Sequence, residues 1–175
     1  MSGGPRSGGE PDGFRAFVEG RSSALLRSGW LLTGDWTSAE DLVQTALAAA
    51  WPKWESLDHS PELYVRKIMV NTFLRWRDRR WNGEIATAKL PEHRAYGDAF
   101  AQIDSRTALS AALDRLPARQ RAVVVLRYFA DMTEAQTAQT MGCSVGAVKS
   151  HASKALARLR EAPGLAELMT GGVAP

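Results

Sequence analysis

Apolar residues recur every three or four positions along most of the chain, which is the spacing of amphipathic α-helices. In the N-terminal half this pattern predicts helices over residues 14–32, 37–51 and 61–81. We expect the second helix to end or kink near Trp51, because Pro52 lacks the amide that a helix interior needs. Gly83 follows the third helix and is typical of a helix end.

Two of these helix starts carry capping residues. Thr37, followed three residues later by Glu40, predicts a capping box at the start of the second helix. Ser60 is the predicted N-cap of the third helix, with Pro61 in its first helical position. These residues support the helix boundaries independently of the apolar spacing.

Helical spacing fades between residues 84 and 104. Connections of this length are uncommon inside one compact domain, so we expect two domains. The predicted fold class is all-α, with two small helical domains joined by a flexible linker. The predicted divisions are a disordered tail over 1–12, a first domain over 13–82, the linker over 83–104, a second domain over 105–162 and a C-terminal tail over 163–175.

The second domain is predicted to be helical throughout, although the valine run at 123–125 also suits a strand. Its predicted helices cover residues 106–116, a segment opened by Pro117, 133–141 and 144–160. The last two helices have the spacing of a helix-turn-helix, in which Ala138 is the small contact residue, Gly142 the turn glycine and Val148 the apolar residue that closes the core.

The capping chemistry of these last two helices agrees with the motif. Thr133 and Gln136 form a predicted capping box, and Ser144 is placed to cap the second helix. Glu134 is the only acid between residues 133 and 160, and all the basic residues of this segment lie on the second helix: Lys149, Lys154, Arg158 and Arg160. Such a helix suits the major groove of DNA, although a helical hairpin with a solvated basic face is the alternative.

The third helix of the first domain combines basic and aromatic residues. Residues 61–80 hold six basic and two acidic side chains, and Phe73, Trp76 and Trp81 are interleaved with them. Rings that stack on bases and arginines that contact phosphates suit single-stranded or opening DNA. The alternative is that the aromatic rings belong to the core and the arginines form a solvated face.

The composition excludes several classes of function. The net charge is +3, Cys143 is the only cysteine and the three histidines lie far apart, so we expect no disulfide, metal or cofactor. No apolar run is long enough to cross a membrane, and we expect a cytoplasmic protein. We find no nucleophile–base pair or phosphate-binding glycine loop, so an enzyme is not expected.

The order of these features resembles the extracytoplasmic-function (ECF, group 4) sigma factors of bacterial RNA polymerase, within the sigma-70 family. Four segments carry the resemblance: residues 39–44 with 50–51 are similar to region 2.2, residues 64–72 with 75–80 to regions 2.3 and 2.4, residues 116–128 to region 4.1 and residues 142–150 with 157–160 to region 4.2. His151 departs from the arginine that is common at its position in the family.

The resemblance implies sigma-2 and sigma-4 type domains and a role for individual residues. Asp41, Gln44 and Leu47 would bind core polymerase. Asn71, Arg75, Arg79 and Arg80 would contact the −10 element, with the loop over 56–60 and Asn71 bordering the pocket for a flipped base. The residues that would read the −35 element are Ser144, Lys149, Ser150, His151, Lys154 and Arg158.

The function implied by the resemblance is promoter-specific initiation of transcription without catalysis by this chain. Its partners would be bacterial core RNA polymerase and promoter DNA, and the family leaves an anti-sigma factor open as a further partner. The alternative is a stand-alone transcriptional regulator that uses the same helix-turn-helix and binds an operator without polymerase.

Overall fold

A computed structural model describes residues 9–57, 60–83 and 101–165. All regular elements in these ranges are helical, so the predicted all-α fold class is confirmed. A 3-10 turn spans Trp51–Ser56, and a π-helical turn spans Val125–Phe129. The seven α-helices are α1 (Phe14–Thr33), α2 (Trp36–Ala50), α3 (Pro61–Trp81), α4 (Ala101–Asp114), α5 (Ala118–Val124), α6 (Glu134–Met141) and α7 (Val145–Arg160).

Helices α1, α2 and α3 pack into one unit around an apolar core. Leu25, Leu42 and Val65 are fully buried and represent the three helices in that core. A Cβ on Gly29 would lie 3.2 Å from the Cβ of Ala39. Helices α1 and α2 therefore approach each other closely at a point where only small side chains fit.

The start of α2 differs from the sequence prediction. Asp35 is the N-cap, and its carboxylate accepts a hydrogen bond from the backbone amide of Ser38 at 2.7 Å. Thr37 already lies inside the first turn, so the predicted capping box with Glu40 is wrong. The reason is that Asp35 has the extended backbone that an N-cap requires, one residue after the glycine that ends α1.

The other predicted boundaries of this unit are confirmed in most respects. The 3-10 turn that contains Pro52 follows α2, and α3 ends at Trp81. Ser60 occupies the N-cap position of α3 and Pro61 its first turn, but the Ser60 side chain makes no capping hydrogen bond. Asp58 and His59 of the predicted −10 loop lie outside the described residues.

Helices α5, α6 and α7 form the centre of a second unit, whose core includes Val123, Leu126, Val148 and Ala155. The valine run at 123–125 is helical, so the alternative of a strand there is excluded. Helix α4 begins at Ala101, four residues before the predicted start of the second domain. The remaining linker residues, 84–100, and the tail segments 1–8 and 166–175 lie outside the described residues.

The two units pack against each other. Helix α3 contacts α5 and α6, and α1 contacts α4 and the π-helical turn. Two shallow grooves follow this junction, one of them lined by Leu63, Met132 and Gln136 and the other by Tyr64 and Thr140. None of the helices in the described part of the chain is long and apolar enough to span a membrane.

Candidate nucleic-acid interface

The turn between α6 and α7 has the geometry that the sequence predicts for a helix-turn-helix. The Thr133 hydroxyl accepts from the Gln136 amide at 3.1 Å, and the Gln136 side chain accepts from the Thr133 amide at 2.9 Å, which confirms the capping box. Gly142 ends α6 in the left-handed region with φ of 63°. The Cys143 amide then donates to the Ala138 carbonyl at 3.0 Å, which closes the turn.

Helix α7 is held in place by its N-cap and its buried face. The Ser144 hydroxyl accepts from the Ala147 amide at 3.0 Å, as predicted. Val148 is fully buried, and Ala152 and Ala155 continue the same face at helical spacing. The opposite face of α7 is consequently directed away from the core of the second unit.

The side chains expected to read the −35 element lie on or beside this outer face. Lys149, Lys154 and Arg158 are exposed, as are Ser144 and Ser150, whereas His151 is half-buried. Ser150, Lys154 and Arg158 are four residues apart and share one side of the helix, because residues at this spacing are neighbours on an α-helix. Lys149 lies on the flank nearer to α6.

Glu134 on α6 reduces the positive charge on that flank. Its carboxylate lies 3.7 Å from the Lys149 ammonium and 3.9 Å from the guanidinium of Arg127, a residue of the π-helical turn. The Lys149 side chain is 63% exposed in this arrangement. Such exposed pairs stabilise a fold by about 0–1 kcal/mol, so Lys149 remains free to exchange Glu134 for a phosphate.

A second basic surface lies on the C-terminal half of α3. Asn71, Arg75 and Arg79 are exposed and four residues apart, so they form one row, and the exposed Arg80 lies next to this row. The Arg75 guanidinium donates to the Thr72 hydroxyl at 3.2 Å, which limits its motion. The structure thus brings together all four residues expected at the −10 element.

Part of the basic and aromatic set on α3 belongs to the core. Arg66 is buried, where it donates to the Ser28 hydroxyl at 2.8 Å and to the Glu62 carboxylate at 2.9 Å. Phe73 is only 2% exposed and packs inside the first unit. Neither residue is available to DNA. For Phe73 the core interpretation is correct, whereas Arg66 is buried and belongs neither to a DNA-binding surface nor to the solvated face that the alternative predicted.

The residues expected to bind core polymerase lie along one side of α2. Asp41 and Gln44 are exposed and Leu47 is half-buried. Trp51 follows Leu47 by four residues, is 40% exposed and stacks edge-on against Phe14 at 4.7 Å. Its exposure adds an aromatic side chain to this surface.

Family models cover both units of the chain. The model described as Sigma-70 region 2 matches residues 20–83, and the model described as Sigma-70, region 4 matches residues 106–159. An RNA polymerase sigma-E factor of Streptomyces coelicolor is 41% identical over 150 residues, which are 85% of this chain and 84% of that protein. The chain belongs to the ECF sigma factors of the sigma-70 family.

Two further sigma factors are similar to this one over most of its length. The ECF RNA polymerase sigma factor SigL of Mycobacterium tuberculosis is 29% identical over 154 residues, covering 84% of this chain and 86% of that one. The sigma factor RpoE of Bartonella quintana, solved in complex with the anti-sigma factor NepR, aligns with a TM-score of 0.66 at 27% identity and covers 86% of this chain and 96% of its own.

One buried residue of the sigma factor was not singled out by sequence reasoning. Arg121 on α5 is fully buried, and its Nε donates to the Leu31 carbonyl of α1 at 2.7 Å. The two residues are 90 positions apart. No local pattern signals this contact, because it depends on how the two units pack.

Proposed function

We propose that this sigma factor binds core RNA polymerase and directs initiation at promoters that carry both a −10 and a −35 element. The observation that supports this most directly is the presence of two separate exposed basic surfaces, one on α3 and one on α7, within a single chain of the sigma-70 family. The chain supplies recognition and no catalysis, and it acts in the cytoplasm with the polymerase.

In this proposal α7 enters the major groove at the −35 element. Ser150, Lys154 and Arg158 share the side of the helix that faces the DNA, and Ser144 and His151 lie at its margins. Arginine and lysine suit guanine edges and phosphates, and a serine hydroxyl suits any base edge. Lys149 contributes mainly a phosphate contact after it leaves Glu134.

The row on α3 would contact the −10 element. Arg75 and Arg79 would follow the phosphates of the opening strand, with Arg80 beside them and Asn71 near the flipped base. Because Phe73 is buried, base stacking on this helix would fall to other side chains, of which the half-buried Trp76 is one.

The side of α2 with Asp41, Gln44 and Leu47 would bind core polymerase. Exposed carboxylate and amide groups beside a partly buried leucine suit a mixed polar and apolar protein interface, and Trp51 extends the apolar part. We include an anti-sigma factor among the partners, because a similar sigma factor was solved in complex with one.

A gel shift with and without core polymerase tests this function against the stand-alone regulator. Each basic surface alone provides few contacts, so we expect the isolated chain to bind promoter fragments of its host weakly. The polymerase holds both surfaces on one DNA, so we expect binding at least 100-fold tighter in its presence. Equally tight binding by the isolated chain would favour the regulator and contradict the proposal.

A further inference from the structure

A glycine lies on the side of α7 that would face the DNA. Gly146 is the second residue of this helix, is exposed, and precedes Ser150 by four positions. Residues at this spacing share one side of a helix, so Gly146 extends the row of Ser150, Lys154 and Arg158 toward the N-terminal end. The N-terminal residues of a recognition helix are those that contact base edges. Gly146 therefore lies where α7 would meet the bases.

No contact among the described residues requires a glycine at this position. A Cβ on Gly146 would have one neighbour within 4 Å, the Ser144 Oγ at 3.8 Å, which is an ordinary van der Waals distance. Its backbone also lies outside the left-handed region that Gly142 occupies. Alanine is a better helix residue than glycine. The fold thus gains nothing from the missing side chain, and its benefit lies in what approaches α7 from outside.

The surface around Gly146 is apolar. Val145 is 39% exposed, which makes it one of the few large apolar side chains on the described surface, and Ala147 is half-buried. The Ser144 hydroxyl is engaged as the cap of α7, because it accepts a hydrogen bond from the Ala147 amide at 3.0 Å. Residues 145–147 carry no polar side chain. This turn can therefore contact a base by shape and apolar surface, and not by a hydrogen bond from these side chains.

The major groove contains one apolar group that fits such a surface. The 5-methyl group of thymine projects into the groove, whereas the other recognition groups of the base edges are hydrogen-bond donors and acceptors. A methyl group placed against the Gly146 backbone and the Val145 side chain leaves water without leaving a polar group unpaired. A side chain at position 146 would extend about 1.5 Å from the Cα, one carbon–carbon bond, into the same space.

We propose that Gly146 is a specificity-determining residue of −35 recognition, and that its missing side chain leaves room for the 5-methyl group of a thymine that Val145 also contacts. This inference rests on the proposed function, because it requires α7 in the major groove of the −35 element. Lys149 and Lys154 supply contacts to phosphates, which carry no sequence information. Gly146 adds a direct distinction between a pair with a thymine methyl group and a pair without one.

Replacement of thymine by deoxyuridine tests the contact, because deoxyuridine lacks only the 5-methyl group. The probe is the promoter fragment from which core polymerase with this chain initiates most strongly, with the thymines of its −35 element replaced one at a time. Affinity for the holoenzyme is measured by competition gel shift. We expect one replacement to weaken binding about threefold to fivefold, the usual effect of one buried methyl group. The same replacement between the −35 and −10 elements is the control for DNA structure.

Gly146→Ala should reverse this preference. The added methyl group occupies the space of the base methyl group, so we expect about 10-fold weaker binding to the thymine fragment. Binding should recover on the fragment with deoxyuridine at that position. Gly20→Ala on α1 is the matched control, since Gly20 is exposed within a helix, has nothing within 4 Å and lies outside the proposed contact surfaces. Val145→Ala should reduce the difference between thymine and deoxyuridine.

The outcomes separate this inference from the proposed function. Full affinity of Gly146→Ala for the thymine fragment, or an equal loss on both fragments, would overturn the methyl contact. A changed slope of the salt dependence without recovery on deoxyuridine would assign the position to a phosphate and also overturn it. Specific initiation with no effect of any deoxyuridine leaves the proposed function intact and overturns the inference. If the unmodified holoenzyme initiates at no promoter, the proposed function fails and the inference fails with it.

Discussion

Glu134 is the residue that most directly modulates the charge of the recognition helix. It is the only acidic side chain within the helix-turn-helix, and it lies within ion-pair distance of both Lys149 and Arg127. In the proposed function, DNA phosphates would compete with this carboxylate for Lys149. Loss of Lys149 should therefore weaken −35 binding, and loss of the Glu134 carboxylate should strengthen it.

Removal of the lysine is expected to weaken promoter binding without changing sequence preference. Lys149→Ala should lower the affinity of the holoenzyme for −35 DNA and reduce the slope of its salt dependence by about one, since one phosphate contact is lost. Arg160→Ala, on the same helix but outside the proposed contacts, is the matched control. Unchanged affinity and slope would remove Lys149 from the interface.

Removal of the carboxylate is expected to have the opposite effect. Glu134→Gln should tighten −35 binding several-fold, because Lys149 no longer has a competing carboxylate. The free energy of unfolding should change by no more than about 1 kcal/mol, because exposed ion pairs contribute little. Glu161→Gln, also an exposed carboxylate of the second unit, controls for net charge. Equal effects of the two variants would argue against the local pairing.

At the scale of the elements, the turn between α6 and α7 depends on a left-handed backbone. Gly142 has φ of 63°, which an alanine adopts at a cost of about 1 kcal/mol or more. Gly142→Ala should therefore lower the melting temperature of the second unit. Gly146, inside α7 with only Ser144 Oγ nearby at 3.8 Å, is the control.

The control substitution is not expected to lower the melting temperature. Gly146→Ala should leave the melting temperature unchanged or raise it, because alanine is the better helix residue by up to about 1 kcal/mol. A Gly142→Ala variant as stable as the original chain would contradict the described turn. Both variants are compared by thermal unfolding at equal protein concentration.

Helix ends were predictable from the sequence where the chemistry is local and unambiguous. In the second unit the capping contacts join backbone amides and carbonyls to residues a few positions away, so the order of residues in the chain is sufficient to predict them. These contacts involve Thr133 with Gln136, Ser144 and Gly142. Asp35 and Thr37 are both good N-cap residues two positions apart. The choice between them depends on where α1 ends, which the apolar spacing did not determine to the residue.

Burial of charged and aromatic residues was less predictable. Besides nearby carboxylates, Arg66 and Arg121 have one partner each, Ser28 and Leu31, that lies 38 and 90 positions away, and the linear pattern contains no sign of these two contacts. Phe73 illustrates the same limit, because a ring at helical spacing suits both a core and a stacking surface. By contrast, the exposed basic residues of α7 could be predicted, since the buried face of that helix was evident from Val148.

At the scale of the whole molecule, the junction around Arg121 joins the two units that carry the basic surfaces. Asp114 is the carboxylate that pairs with Arg121 and its side chain is 54% exposed. Arg121 itself is fully buried, so the pair compensates a charge inside the junction. Loss of Asp114 should therefore destabilise the fold.

Asp114→Asn is expected to lower the free energy of unfolding by about 1 kcal/mol, because a buried guanidinium loses its carboxylate partner and that carboxylate is half-exposed. Denaturant unfolding should show this as a lower midpoint. Glu161→Gln is the control, and an unchanged midpoint in Asp114→Asn would exclude a role for this pair in stabilising the junction.

The measurement that tests the central account most directly is transcription reconstituted from core polymerase, this chain and a pool of promoter fragments from its host. The account predicts specific transcripts only when the chain is present, with yields reduced at least 10-fold by Arg75→Ala with Arg79→Ala on α3, and lowered by Lys149→Ala on α7. Absence of any specific transcript with both proteins intact, or transcripts unaffected by the substitutions on both helices, would contradict it.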